Sequence, residues 1–482
     1  MKKIIISIAT LTIIMFAGCN EYLIEKPLLD TSDVLLLSNY DGLNKSTAGV
    51  YTYMSHDSWY GADYILDAEM RSGNGKRNLD YESGRAIAAY NWNYSPTSTS
   101  GFWGVGYKVI FSANKIMENL EGKDVGEVTE QDLNNLKAEC LFLRALAHFD
   151  LVKLYAQSYN SLAQLGVPYV KTTDPEYKPA RNTVKEVFAF IIEDLLEAEK
   201  IIAPTYQRKG VSDPKATVTL PAIQALLSRA YLYSGNWQKC ADYATKVINN
   251  KSFTMWTADE LVKLDKDGKA VENIYTVDVH TTGEVIFEMY GSAGNSNDPY
   301  WEHTQWMTSF EGYGDCAASL DLVNLYKDDD VRRKLFKSPD KAPGLFWTSK
   351  YNGKLKRTPD VNNTIILRLS EMYLNRAEAL INGANIAGAS AVSDLAMITS
   401  NRNAEAYTSP GPNDVYLERR KELAWEGHWL FDLSRIGRPL TRVDYSGEAT
   451  NKDVPYPSDK WALPISQGEM DANPNLEPNP GY

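Results

Sequence analysis

Residues 221–250 read PAIQALLSRAYLYSGNWQKCADYATKVINN, and the cadence of this stretch decides the fold. Leu227 and Ser228 put a large and a small residue where the first helix of a tetratricopeptide unit needs them. Ala230, Tyr231, Gly235 and Trp237 follow at that unit's offsets. Cys240 then takes the small position at which two helices approach closely, with Tyr243 and Val247 behind it. The spacing predicts two antiparallel helices joined at Gly235, with Cys240 as a packing residue. A lone pair cannot bury its own apolar face, so further pairs must stack on it.

Working outward, the same flavour returns in Ile366–Asn382, where Leu374, Ala377 and Ala379 precede Gly383, one residue out of step. Tyr107–Leu120 is amphipathic, with Val109, Ile110, Ala113, Ile116, Met117 and Leu120 on one face. Gln131–Gln157 predicts a long helix whose Leu141, Ala145, Phe149 and Val152 recur at three- and four-residue steps, while Lys137, Arg144 and His148 mark another face. Thr183 and Glu186 form a capping box ahead of Val187–Ala198. Val285, Phe287 and Met289 alternate as in a short strand. Two stretches carry no helical period. Ser72–Gly84 is rich in Gly, Asn, Lys, Arg and Asp, and Gly291–Tyr313 sets Tyr300, Trp301, Trp306 and Tyr313 among small polar residues. Long ordered loops on such a scaffold carry function.

The N-terminus adds a location. Lys2 and Lys3, an apolar run from Ile4 to Phe16, and Ala17-Gly18-Cys19 form a leader too short to span a bilayer comfortably. A cysteine directly after small residues is what a lipoprotein signal requires: the thiol takes a diacylglycerol, cleavage precedes it, and the new N-terminus is acylated. Phe16 replaces the usual Leu of that motif. The expected organisation is a leader over 1–18, a lipid-anchored tether over 19–40, a helical region over 41–250 and a second region over 251–482, the last two packed as one body. The formal net charge of −12, more negative once Lys2 and Lys3 are removed, disfavours nucleic acid or anionic lipid as the main partner. Cys140, Cys240 and Cys316 are far apart and odd in number, with neither disulfide nor zinc spacing.

Catalytic signatures are missing: no H-E-x-x-H, C-x-x-C or G-x-S-x-G occurs, and the five histidines are scattered. Gly73-Asn74-Gly75-Lys76 lacks the glycine spacing and the Ser or Thr of a phosphate loop, and reads as a flexible loop. Glu422 and Glu426 lie one helical turn apart, whereas glycoside hydrolysis needs carboxylates flanking the bond. Arg419, Arg420, Lys421 and Arg435 nearby favour a structural ion-pair network instead. No cofactor, metal or enzymatic activity is expected.

Five stretches carry a family pattern: Lys137–Tyr155 (KAECLFLRALAHFDLVKLY), Gly166–Val170 (GVPYV), Arg368–Leu380 (RLSEMYLNRAEAL), Glu418–Ile436 (ERRKELAWEGHWLFDLSRI) and the tail Leu463–Tyr482. With the lipobox they span the chain, which resembles the SusD/RagB family of surface lipoproteins. Ser434 and Trp429-Leu430 depart slightly from that pattern. The resemblance implies a mainly α body, a scaffold of tetratricopeptide-like helix pairs with irregular loops and a few short strands forming the ligand-binding side. It also implies outer-membrane placement, consistent with Glu21 shortly after the anchor, and a SusC-type TonB-dependent transporter as partner. Ligand residues are not carried by a family motif. The loops themselves point to Trp301 and Trp306, with Tyr300 and Tyr313, as sugar-stacking rings and to Asn74, Arg77, Asp80 and Tyr81 as polar counterparts. The function this predicts is capture of oligosaccharides without turnover; a peptide-binding lid of the RagB type and a surface glycosidase are the alternatives.

Overall fold

Capping chemistry sets where the helices begin in the computed structural model, which describes residues 36–80, 83–120, 128–156, 163–211, 213–277, 283–290, 303–353 and 362–482. The leader, Cys19, the segment 19–35, Tyr81, Tyr300 and Trp301 lie outside the described residues. The principal helices are α1 (Tyr40–Thr52), α2 (Asp63–Ser72), α3 (Phe102–Leu120), α4 (Glu130–Tyr155), α5 (Val184–Ile201), α6 (Leu220–Tyr233), α7 (Trp237–Ile248), α8 (His303–Thr308), α9 (Leu369–Ile381), α10 (Ala391–Ser400), α11 (Pro412–Glu422) and α12 (Trp429–Arg435). Thr129 and Thr183 each close a capping box, with Asp132 and Glu186, ahead of α4 and α5. Thr219 caps α6 with Pro221 in its first turn, and Asn236 caps α7 just after Gly235 turns the chain at φ 71°.

Consecutive helices pack on one another from α3 through α7, and α9 then packs on α7 and on α10, so the stack resumes after the whole segment 249–368. Cys240 sits where α6, α7 and α9 converge: it is fully buried, 3.8 Å from Ser228 Oγ and 3.6 Å from the Asn375 carbonyl. The protein is thus mainly α, a helix-pair scaffold with short strands and irregular loops set against it.

Packing corrects two expectations and buries the second marked face of α4. Ile366–Asn382 is not helical from its start. Thr364–Arg368 forms a strand, β8, by pairing antiparallel with β4 (Val285–Met289), a conformation its β-branched Thr364, Ile365 and Ile366 tolerate; α9 begins only at Leu369. On α4, Arg144 and His148 do not face solvent. Arg144 is buried in a two-pronged pair with Asp194 at 2.7 and 2.8 Å, and His148 is buried against the Tyr169 ring at 3.8 Å. Gly73–Lys76 is no flexible loop: Gly73 ends α2 in the left-handed conformation at φ 79°, and Gly75–Arg77 is a paired strand, β1. A Cβ at Gly75 would lie 2.4 Å from Met70 Sδ, so only glycine lets β1 fold back on α2.

The largest core cluster runs from Leu37 to Leu476 and draws on residues before and after position 250. A second core lies under the irregular side, where Leu66, Met70 and Tyr90 meet Met307, Cys316, Tyr326 and Trp425. It fixes the non-helical segments against the scaffold. No helix among the described residues is long and apolar enough to cross a membrane.

Candidate functional site

The two loop stretches singled out in the sequence meet in space. Strand β1 pairs antiparallel with β5 (Cys316–Ala318), in the register Gly75↔Ala318, Lys76↔Ala317 and Arg77↔Cys316. Beyond Arg77 the zipper continues: Asn78 donates its backbone N–H to the Asp315 carbonyl at 3.2 Å and its side-chain amide to the Gly314 carbonyl at 3.2 Å. Ser83 donates both N–H and hydroxyl to the Asp315 carboxylate, each at 2.6 Å. On the other strand, Tyr313 and Gly314 donate their N–H groups to the Trp306 carbonyl at 2.7 and 3.1 Å, folding that turn against α8.

These bonds hold an aromatic surface. The rings of Trp306 and Tyr313 lie 5.4 Å apart at 45°, and each residue is 42% exposed although both are large and apolar. The Arg85 guanidinium lies 3.8 Å from the Tyr313 ring centre and 3.7 Å from Asp315, so it is gripped from two sides. Beneath, Met307 and Cys316 are buried against Leu66 and Met70 of α2. Rigid rings with one face to solvent beside charged edges suit the C–H faces and hydroxyls of a sugar.

Of the predicted residues, Trp306 and Tyr313 form this surface, with Arg77, half-buried on β1, and the exposed Asp80 at the same end of the β1–β5 pair. Asn74 is a correction. It is fully buried, its amide donates to Glu69 at 2.8 Å and its oxygen accepts from Arg420 Nε at 2.8 Å, so its hydrogen bonding is spent inside the protein. Arg85 and Asp315 were missed because each acts only once the two loops are joined.

Also missed was an acidic pair on α2. Asp63 and Asp67 lie one turn apart, both half-buried, and Tyr94 donates its hydroxyl to Asp67 at 2.9 Å. Burial, then the neighbouring Asp67 and Asp57 charges, push the Asp63 carboxyl up to about 8. Burial also raises Asp67, against the Tyr94 hydrogen bond and the Arg71 charge. The pair therefore holds a proton at neutral pH and offers both a donor and acceptors. Two carboxyls on adjacent turns of one helix sit on the same side of any ligand, a geometry for gripping hydroxyls rather than flanking a glycosidic bond.

Glu422 and Glu426 are locked away from chemistry. Glu422 receives Arg332 at 2.9 Å, Arg368 at 2.7 Å and Arg402 at 2.8 Å; Glu426 receives Lys350 at 2.5 Å and Arg368 at 2.8 Å. Burial opposes their charge, but Arg402, Arg368 and Arg332 overcome it and hold Glu422 well below the usual carboxylate range. The expectation of a network holds, with different cations. Arg419 serves Asp432 and Asn375, Arg435 serves Glu378 and Asp432, and Arg420 serves Asn74. Among the described residues the cysteines offer no nucleophile, since burial pushes the Cys140 and Cys240 thiols up to about 12 and raises Cys316 well above its ordinary value. No group of three or more His, Cys, Asp or Glu side chains among the described residues could hold a metal ion.

Comparison with known proteins closes the case for ancestry. A family model described as starch-binding associating with outer membrane matches residues 21–232, and one described as the SusD family matches residues 343–482. SusD-like protein P2 of Formosa agariphila is 24% identical over the full length of both chains. A SusD superfamily protein from Bacteroides thetaiotaomicron is 27% identical with a TM-score of 0.80, over 92% of this chain and 100% of that one. A SusD-like carbohydrate binding protein from Bacteroides vulgatus, 21% identical, has the same fold at a TM-score of 0.75 over 91% and 97% of the two chains. With both of its ends matched by models of one family and its whole fold shared with that family's structures, the chain belongs to the SusD/RagB family.

Proposed function

We propose that this protein is a cell-surface glycan-binding lipoprotein that captures oligosaccharides without cleaving them and passes them to a SusC-type TonB-dependent transporter. The observation that carries the reading is the exposed Trp306–Tyr313 pair, fixed by the β1–β5 zipper and by Arg85, on a protein of a family described as starch-binding. A sugar stacks on these rings while Arg77, Asp80 and the Asp63–Asp67 pair meet its hydroxyls. The most suggestive catalytic spacing, Glu422 and Glu426, is consumed by buried ion pairs, which supports binding without turnover. Tyr81, Tyr300 and Trp301 extend this ligand surface in the proposal.

Cys19 is the acylated first residue of the mature chain in this reading. Residues 19–40 tether 41–482 to the outer membrane, and the segment Tyr22–Leu29 contributes to the transporter contact. Such an interface exceeds about 2,000 Å² in total if it persists through opening and closing. Titration of the purified protein with a panel of oligosaccharides and peptides tests the ligand class: saturable sugar binding with unaltered sugar recovered afterwards is expected. Peptide binding alone, or cleaved sugar, would overturn it. Mild-detergent purification from native membranes should bring a TonB-dependent barrel in near-equal amount, and Cys19→Ala should leave the precursor uncut or release the protein from membranes.

A further inference from the structure

The Ser309–Gly314 turn, which carries Tyr313 of the aromatic surface, also lines an open cleft of about 550 Å³ through Ser309, Phe310 and Glu311. Its floor is aromatic: Phe310 and Trp347 pack at 5.2 Å, and Phe346 lies beside them. The cleft is tied to the ligand surface by its backbone. Trp347 Nε1 donates to the Gly314 carbonyl at 3.1 Å, and the Phe346 carbonyl accepts from the Ala318 N–H of β5 at 2.6 Å. The volume lies within the range that encloses a sugar-sized ligand.

The walls are what set this cleft apart. Lys269 stands on the turn between strands β2 (Val262–Leu264) and β3 (Ala270–Asn273). Lys334 lies in the short helical turn Val331–Leu335, and Lys337 on β6 (Phe336–Lys337) opposite Trp347 of β7 (Trp347–Thr348). All three are exposed and make no ion pair among the described residues. Arg333, also on the wall, turns its guanidinium to the Val323 and Tyr326 carbonyls and to Asp328. Glu311 and Asp340 are the opposing carboxylates. Two separate segments thus bring three lysines, without ion pairs among the described residues, to one cleft of a chain whose net charge is −12. Arg77 and Arg85 carry the positive character on to the aromatic surface.

We infer that this cleft is a second subsite, taking the anionic group of a sugar that flanks the one stacked on Trp306 and Tyr313; it rests on the glycan-binding reading above. The ligand class is an acidic oligosaccharide, its anion a uronate carboxylate or a sulfate ester. Lysine suits either, as a mobile point charge that donates charge-assisted hydrogen bonds without demanding a planar partner.

The test is titration of the full-chain protein in detergent with an oligogalacturonate, a sulfated galactan oligosaccharide and a neutral β-glucan oligosaccharide of similar length. The variant is the triple substitution Lys269→Gln, Lys334→Gln, Lys337→Gln, with its melting temperature confirmed unchanged. Affinity for at least one anionic probe should fall about tenfold or more in the variant and should fall with added salt in the wild type, while any neutral binding stays as it was. Loss for the carboxylated or the sulfated probe alone identifies the anion. Equal affinity of wild type and variant for the anionic probes, or binding of the neutral probe only, overturns the cleft assignment and leaves glycan capture standing. Failure of all three to bind overturns both.

Discussion

The helix-pair scaffold and the strand-and-loop side are held together by different means, and the contrast separates what is built for stability from what is built for contact. In the scaffold, polar residues are buried and saturated: Arg229 with Glu371, Arg144 with Asp194, Asp150 with Trp59, Tyr60, Tyr64 and Lys153. On the loop side large rings stay exposed, and on α2, which packs beneath it, a carboxyl pair keeps a proton it would lose in water. Charge is neutralised in one region and left available in the other.

The sharpest way to break this comparison is to remove charge from the saturated side. Glu422→Gln leaves Arg332, Arg368 and Arg402 short of their shared anion inside the protein. It should cost about 3–5 kcal/mol, the penalty of stranding buried charge when one partner goes. Denaturant unfolding reads this directly. A loss under 1 kcal/mol would mean that the network is solvated and not a structural lock.

A pH profile addresses the same region with no mutation. His148 is fully buried, its Nδ1–H donates to the Arg144 carbonyl at 2.8 Å and its Nε2 accepts from the Val170 N–H at 3.2 Å, so the fold requires the neutral ring. Burial lowers it to about 3. In the unfolded chain the imidazole takes its proton near pH 6.5, so the contribution is complete above that value and lost as pH falls from about 6.5 towards 3. The loss approaches 1.4 kcal/mol per pH unit. His428, also lowered by burial, adds to the same slope. The slope of unfolding free energy between pH 6 and 4 should therefore be shallower in His148→Gln than in wild type.

Trp306→Ala and Tyr313→Ala probe the other side. Each removes a half-exposed ring, so stability should hardly move, whereas glycan affinity should fall by about 1–3 kcal/mol, on the scale of a lost stacking partner. Titration and unfolding on the same samples check both halves. Unchanged affinity in both variants would remove the site from this surface.

The two regions also differed in how far they could be read from sequence. Helix periodicity and caps are local, so Thr183-x-x-Glu186 and the Leu227–Val247 cadence located their helices, and Cys240 proved to be the close contact its spacing required. The failures came where a partner distant in the chain decides. Thr364–Arg368 became a strand because Val285–Met289 lies beside it. Asn74 had the composition of a ligand residue but folded onto Glu69 and Arg420. Aromatic clustering in a polar stretch singled out Trp306 and Tyr313, which the fold leaves exposed and side by side. Arg85 carried no local signal, since its role begins when Tyr313 arrives, and the Asp63–Asp67 spacing was visible without anything to show its burial.

The smallest expected effect is the most discriminating, because it sets stability against binding at one residue. The raised Asp63 carboxyl favours the fold at low pH and loses that contribution as pH rises from the unfolded value near 3.9 through about 8, the opposite sense to His148. Asp63→Asn keeps the shape and hydrogen-bonding capacity but has no proton to lose. At pH 7–8 it should therefore raise unfolding stability by on the order of 1 kcal/mol, and at pH 4 the gain should vanish. If the pair grips sugar hydroxyls, the same variant should weaken glycan binding at pH 7, because the amide presents one acceptor oxygen and no charge where the carboxylate presents two oxygens. A purely structural pair predicts the stability gain with affinity unchanged. A gain and a loss in one protein would mark Asp63 as a residue kept for its ligand at the expense of its fold.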